Sequence, residues 1–386
     1  MKFEVFWKNP GYKKRPELKK DIECDYLIVG GGITGVSLAY FLSKAGVKNI
    51  VLIEKDMIAG GATGKAAGSI VLKGELDLKD IIAKYGEEKG KRFWEANHHA
   101  LNHLKEIIKH EKINCDFDME DTVFGNAKHK IDPYILEEYI MEKDIERFTE
   151  LIVGKKLKQT INTPLFEYAM LSHNQAISLN PLKFTQNLSK KISKKSVSIY
   201  ENTPLIKLHK NLAITKHNKI KFKHVILAMD AEMRNSKIKK LVSTIIITER
   251  LSNTELKKIS LKQKKVIWDS KFIYHYLKIT KDNRILLGYG DKNVHKKHAS
   301  INPHPPHLKS IKSFLHKLFP HLHAKIEYAW SGSFGITKTK FPIVEKRGNK
   351  IIIGGAASQL SCLMASQYLA DKIIGKKSKL EEFFKK

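Results

Sequence analysis

The stretch that most constrains this chain is Asp25-Tyr26-Leu27-Ile28-Val29-Gly30-Gly31-Gly32-Ile33-Thr34-Gly35. Tyr26–Val29 reads as a short buried strand. Ile33–Ala45, closed by Gly46, reads as a helix. Three consecutive glycines between them cost backbone entropy that an ordinary turn does not require, so the spacing predicts a ligand lying against bare backbone. Gly30 permits the tight turn, Gly32 lets a pyrophosphate approach, and Gly35 allows the helix to pack on the strand. The first helical turn, with Ile33 and Thr34, offers N–H groups and a partial positive charge to phosphate. Asn49–Ile53 is a second apolar strand, and Glu54 closes it at the spacing of a carboxylate that binds a ribose diol. This βαβ unit predicts a dinucleotide site.

Beyond it, helical and strand patterns alternate. Asp77–Glu111 is helical, with Phe93, Ala96, Ala100, Leu101, Leu104, Ile107 and Ile108 on one face. Further helices are expected at Ile135–Phe148, Pro181–Ile192, Leu308–Leu318 and about Ala365–Ile374. Strands are expected at Val197–Tyr200, Val225–Ala228 and Ile351–Ile353, and within Lys265–Gly290 around a turn at Lys281-Asp282-Asn283. The pattern implies an α/β fold: a Rossmann-like nucleotide-binding domain made from separated segments, beside a β-rich α+β substrate domain.

Just past Glu54 comes Gly60-Gly61-Ala62-Thr63-Gly64-Lys65-Ala66-Ala67-Gly68, a run of small residues that lets backbone pass close to a large flat ligand. With this run the chain resembles the D-amino acid oxidase-like family of FAD-dependent oxidoreductases, relatives of glycine oxidase and sarcosine oxidase. The resemblance also rests on Phe6-Trp7, on Leu179–Phe184, on Tyr200–Leu205 and on Tyr328–Gly332. It implies FAD as cofactor, with Ile33 and Thr34 at the pyrophosphate and Glu54 at the adenosine ribose, beside the adjoining Lys55. Ala62, Thr63, Ala67, Gly68 and Ser69 would follow the phosphate–ribityl–flavin path. Leu205 would meet adenine through its backbone, and Gly355 and Ala356 would lie near the pyrimidine side of the flavin. The nucleotide domain would comprise residues 1–75, 166–240 and 326–386, and the substrate domain 76–165 and 241–325. The activity implied is oxidation of an amine-type C–N bond in a small molecule, by hydride transfer to the flavin.

Two segments depart from the family pattern. Where relatives show T-x-D-G-x-P-x-I-G, this chain has Thr337–Glu345, without the acid or the glycines. The loop Gly355–Leu360 is poor in glycine, and positions where relatives carry carboxylate-clamping arginines align with Phe334 and Ser358. Simple amino acids are therefore weaker substrate candidates. A catalytically inactive FAD-binding subunit is one alternative reading.

For substrate contacts, the strand Phe272–Lys278 is expected to place Tyr274, Tyr276 and Lys278 on one face, where two phenols and an ammonium could orient a polar substrate. A half-exposed strand with amphipathic tyrosines is the competing account. His99 and His103, at i, i+4 with Glu106 nearby, have metal-like spacing, but 17 histidines make such pairs cheap and no metal is expected. His304, His307, His316, His321 and His323 surround a proline-rich loop and are expected at the surface.

The net charge of +30 raises a second alternative, a flavin enzyme acting on a tRNA base. Its distribution speaks against a nucleic-acid partner. Seven of the 70 basic residues are arginines and 63 are lysines spread along the whole chain, the pattern of a solvated surface. Three distant cysteines without CxxC spacing, no transmembrane segment, and no apolar leader in the first 20 residues predict a cytoplasmic protein.

Overall fold

The computed structural model describes residues 1–126, 132–145, 148–233, 235–270, 274–293 and 301–384. Two sheets carry the fold. The first contains β1 (Ile22–Val29), β2 (Ile50–Ile53), β7 (Val197–Tyr200), β8 (Lys207–Leu208), β9 (Leu212–Ile214), β10 (Lys219–Leu227), β16 (Ile343–Arg347) and β17 (Lys350–Gly354). The second contains β3 (Ser69–Val71), β4 (Asp118–Gly125), β5 (Thr149–Val153), β6 (Tyr168–Ser178), β11 (Ile238–Thr248), β12 (Lys265–Asp269), β13 (His275–Ile279), β14 (Ile285–Asn293) and β15 (Ile326–Thr337).

The first sheet runs β16-β17-β10-β1-β2-β7 and is parallel from β17 to β7. Leu27 pairs with Val225 on one side and Val51 on the other, so β1 is central and its apolar run is buried on both faces. Helices Ile33–Lys44 and Gln359–Ile373 pack against each other beside this sheet. The α/β architecture expected from the sequence is present.

The second sheet is mainly antiparallel, in the order β15-β11-β14-β13-β12-β4-β6-β3. By sheet membership β3, β6 and β15 belong here, although their residues fall within the segments expected to build the nucleotide half. They join the two halves: the segment after β2 leads through the small-residue loop into β3, and β15 returns the chain to β16.

Several boundaries differ from expectation for visible reasons. The helical run from Asp77 is two helices, Leu78–Tyr85 and Glu87–His110, broken at Gly86, whose φ is +84°. Pro181–Lys190 begins where Asn180 caps the amide of Lys183 and Pro181 opens the helix. The helix expected at about Ala365–Ile374 starts already at Gln359, because Ser358 accepts the Leu360 amide as its cap. Among the described residues no helix is long and apolar enough to cross a membrane.

Candidate active site

The C-terminal ends of β1, β2 and β10 open onto a cavity of about 1010 Å³ that continues under the second sheet. The glycine turn forms one wall. A Cβ on Gly30 would stand 2.4 Å from the Ala228 carbonyl oxygen, and one on Gly35 only 2.0 Å from the Gly30 oxygen. Gly32 faces differently: the nearest atom is Thr63 Oγ1 at 3.2 Å, and the glycine lines the cavity. Gly30 and Gly35 thus close the backbone packing, while Gly32 leaves room for a ligand.

Glu54, Lys55 and Leu205 line one end of the cavity. Glu54 accepts the Gly31 amide at 2.7 Å and the Asp56 amide at 3.0 Å. Burial pushes its carboxyl above the ordinary range, and the two amides partly offset that. Each oxygen has lone-pair capacity left for a hydroxyl donor. Ile33, Thr34, Ala62, Thr63, Ala67, Gly68 and Ser69 line the middle. The Thr63 hydroxyl accepts the Ile33 amide at 3.0 Å, which ties the small-residue loop to the start of the first helix.

That loop is clamped from outside. Trp7 Nε1 donates to the Ala66 oxygen and Trp330 Nε1 to the Lys65 oxygen, each at 2.8 Å. Gly68, at φ +73°, lies so close to Leu179 that a Cβ would come within 2.1 Å of its carbonyl oxygen. Lys278 sits beneath: its ammonium donates to the Gly68 oxygen at 2.9 Å, to Ser178 Oγ at 2.9 Å and to the Leu179 oxygen at 3.3 Å. Burial lowers the Lys278 ammonium to about 8, while the neighbouring buried carboxyl of Glu120 is raised, also by burial, to about 7.

Of Tyr274, Tyr276 and Lys278, the structure brings the two tyrosines together at the cavity. Both tyrosines line the cavity with ring centroids 6.2 Å apart, whereas Lys278 is not among its lining residues. Tyr276 lies across Gly288 of β14, and its hydroxyl meets Ser243 Oγ at 3.1 Å. The long lysine side chain reaches instead for carbonyl oxygens under the loop. Lys271, Phe272 and Ile273 lie outside the described residues.

Of the two residues expected beside the flavin pyrimidine, Ala356 lines the cavity; Gly355 faces inward, and a Cβ there would meet Thr337 Cγ2 at 2.7 Å. Phe334 and Ser358 also line the cavity. His307 corrects another expectation. It is buried, with Nδ1 3.3 Å from Thr244 Oγ1, because the Pro305–Leu318 helix turns this face onto the second sheet; His316, His321 and His323 are exposed. His103 stacks on Phe41, with ring centroids 5.8 Å apart.

Sequence reasoning did not find the far end of the cavity. There Lys73, Asp77, Asp80, Phe124, Tyr134 and Trp268 converge from five separate elements or loops. The Lys73 ammonium stands 2.6 Å from Asp77 Oδ1 and 4.4 and 4.8 Å from the ring centroids of Phe124 and Trp268. Burial alone would lower its pKa, but Asp77, Glu138 and Glu142 more than offset that and keep it charged. The Tyr134 hydroxyl lies within hydrogen-bond distance of Asp77 and, at 2.9 Å, of Asp80, and its one proton serves either carboxylate. No local motif marks this group, since its members are scattered from position 73 to position 268.

The cradle fits a dinucleotide: bare glycine backbone, a helix start, a ribose-type carboxylate and a run of small residues all line one cavity. Its volume, about 1010 Å³, stands at the top of the roughly 300–1,000 Å³ range of ligand sites. A family model described as FAD dependent oxidoreductase (DAO) matches residues 25–371. The chain belongs to this family.

It is a FAD-dependent oxidoreductase. Among similar proteins, gamma-glutamylputrescine oxidoreductase of Escherichia coli (strain K12) is 24% identical over 380 residues, covering 95% of this chain and 87% of that protein. A Bacillus subtilis (strain 168) protein described as a Rieske 2Fe-2S iron-sulfur protein is 29% identical over 209 residues. That match covers 54% of this chain and 40% of the relative's length. L-proline dehydrogenase from P. horikoshii superposes with a TM-score of 0.75 at 17% identity, covering 96% of this chain and 97% of that one. Glycine oxidase from Geobacillus kaustophilus also gives 0.75, at 14% identity, covering 94% and 98%. These likenesses establish the shared fold.

Proposed function

We propose that this enzyme oxidises the C–N bond of a small amine. The observation that carries the reading is the character of the chamber beyond the cradle. Phe124, Trp268, Tyr274 and Tyr276 supply aromatic walls, and Asp80 supplies a carboxylate beside the Lys73–Asp77 pair. In a chain with 70 basic and 40 acidic residues, aromatic faces beside the Asp80 carboxylate suit an ammonium-bearing substrate. The full-length similarity to an enzyme named for a putrescine derivative supports the same class.

Glu54 and the amide of Thr34 would hold FAD, along with the small-residue loop, which the Ile33 amide ties in place through Thr63. When bound, FAD supplies a two-electron acceptor for the hydride of the C–H bond beside the substrate nitrogen. The chain's own groups bind and orient. Asp80 attracts the substrate ammonium at the chamber wall. Burial and the two neighbouring carboxylates push the Tyr134 hydroxyl upward, so it stays a phenol and a hydrogen-bond donor. Tyr276, braced by Ser243 and Gly288, presents a rigid ring that limits substrate width. The nitrogen must lose its proton before the C–H bond can yield a hydride and leave an imine, so kcat/KM should rise with pH through the substrate's own amine pKa.

The test is an anaerobic screen of purified, FAD-loaded protein with amines, amino acids and hydroxy acids. Loss of the flavin's visible band with one or more amines supports the reading. Bleaching by hydroxy acids only, or by dithionite only, overturns it.

A further inference from the structure

Asp230 follows the C-terminal end of β10 and lines the cavity, yet it belongs to none of the glycine or small-residue motifs. Its backbone is left-handed, at φ +47°, a conformation that an ordinary L-residue adopts at some cost and that asparagine, aspartate and glycine tolerate best. Its carboxylate explains why the position is held. Oδ2 accepts the Gly335 amide at 2.8 Å, and Oδ1 accepts the Gly355 amide at 3.1 Å.

Those two amides lie in different walls. Gly335 is in β15, next to cavity-lining Phe334; Gly355 follows β17 and precedes cavity-lining Ala356. A Cβ on Gly335 would come within 2.7 Å of Asp230 Oδ1, so that glycine is what admits the carboxylate. Gly335 adjoins Phe334, and Gly355 opens the glycine-poor loop that holds Ser358, the two positions where relatives carry carboxylate-clamping arginines. One acidic side chain, supplied from a third strand end, fixes their spacing.

The geometry points to Asp230 as a positioning residue for FAD, which joins the Gly332–Phe334 wall to the Ala356–Gln359 wall so that the cofactor meets a preformed cleft. Without the two bonds, the loop after β17 would have to be ordered on binding, and that ordering cost would appear as lost affinity. The carboxylate does not need to touch the cofactor for this effect.

Asp230→Gly keeps the left-handed backbone free of strain while removing both bonds. Asp230→Asn keeps size, backbone tolerance and one acceptor oxygen. FAD is titrated into deflavinated wild type and both variants, with Kd read from quenching of flavin fluorescence and from the rise in Tm at saturating FAD. The glycine variant is expected to bind FAD about tenfold more weakly or worse, with a smaller FAD-induced rise in Tm, and the asparagine variant to fall between it and wild type. A glycine variant that folds and binds FAD as tightly as wild type overturns the inference. Should that variant not fold, an asparagine variant with wild-type Kd overturns it equally. A wild type that takes up no FAD would instead sink the cofactor assignment, a separate failure.

Discussion

In the cradle, position is enforced by what cannot be added: a methyl group on Gly30, Gly35, Gly64 or Gly68 would press within 2.4 Å of a backbone carbonyl oxygen. In the chamber, position is enforced by what is paired: Lys73 with Asp77, Tyr134 with Asp77 and Asp80, Tyr276 with Ser243. Backbone packing of the first kind tolerates almost no substitution, because a carbonyl cannot move without moving its strand. Side-chain pairs of the second kind can be exchanged while the sheet beneath stays put. The same scaffold can therefore keep one cofactor and change substrates.

That contrast can be broken by substitution. The largest effect is expected at the seam, with Lys278→Met. It removes three hydrogen bonds that support the Gly68 loop and strands Glu120 in the core, costing about 3–5 kcal/mol by chemical denaturation. The pH dependence sharpens the test. Folding lowers the Lys278 pKa from its ordinary 10.5 to about 8, so between those values the unfolded chain binds more protons and stability rises with pH. Wild type should gain stability across that window, and the methionine variant should lose that increment. Next comes Gly35→Ala, which drives a Cβ into the Gly30 carbonyl; a loss of about 1–3 kcal/mol with weakened FAD uptake is expected.

Chamber changes should behave differently. Asp80→Asn is expected to raise KM for the best amine about tenfold, a little over 1 kcal/mol, with FAD Kd unchanged in the same fluorescence titration. Tyr276→Phe should be smaller still, a few-fold in KM, since its ring remains while the hydroxyl's bond to Ser243 is lost. If Asp80→Asn weakened FAD binding as much as Gly35→Ala, the cradle and chamber would not be separable.

The legibility of the two regions follows from the same physics. Glycine spacing, strand alternation and a terminal acid are local, so the cradle from Gly30 to Glu54 and the loop to Gly68 could be read in order from the chain. The chamber is tertiary. Lys73, Tyr134 and Trp268 meet only after β4, β12 and the Pro133–Ile145 helix assemble, and no spacing announces them. Lys278 shows the limit within one strand: alternation predicted its side of the sheet but not that its ammonium would reach carbonyl oxygens under a distant loop. β6 and β11 were likewise missed, because His173-Asn174-Gln175 and Lys239-Lys240 interrupt their apolar alternation. His307 was misplaced because its burial depends on which face the Pro305–Leu318 helix turns to the sheet.

All of this depends on a flavin dinucleotide seated along the Gly30–Gly68 wall, and equilibrium uptake measures that most directly. Purified chain mixed with FAD and passed over a desalting column should retain about one yellow cofactor per polypeptide and melt at a higher temperature than the stripped protein. A correctly folded sample that elutes without colour and melts unchanged would contradict the account.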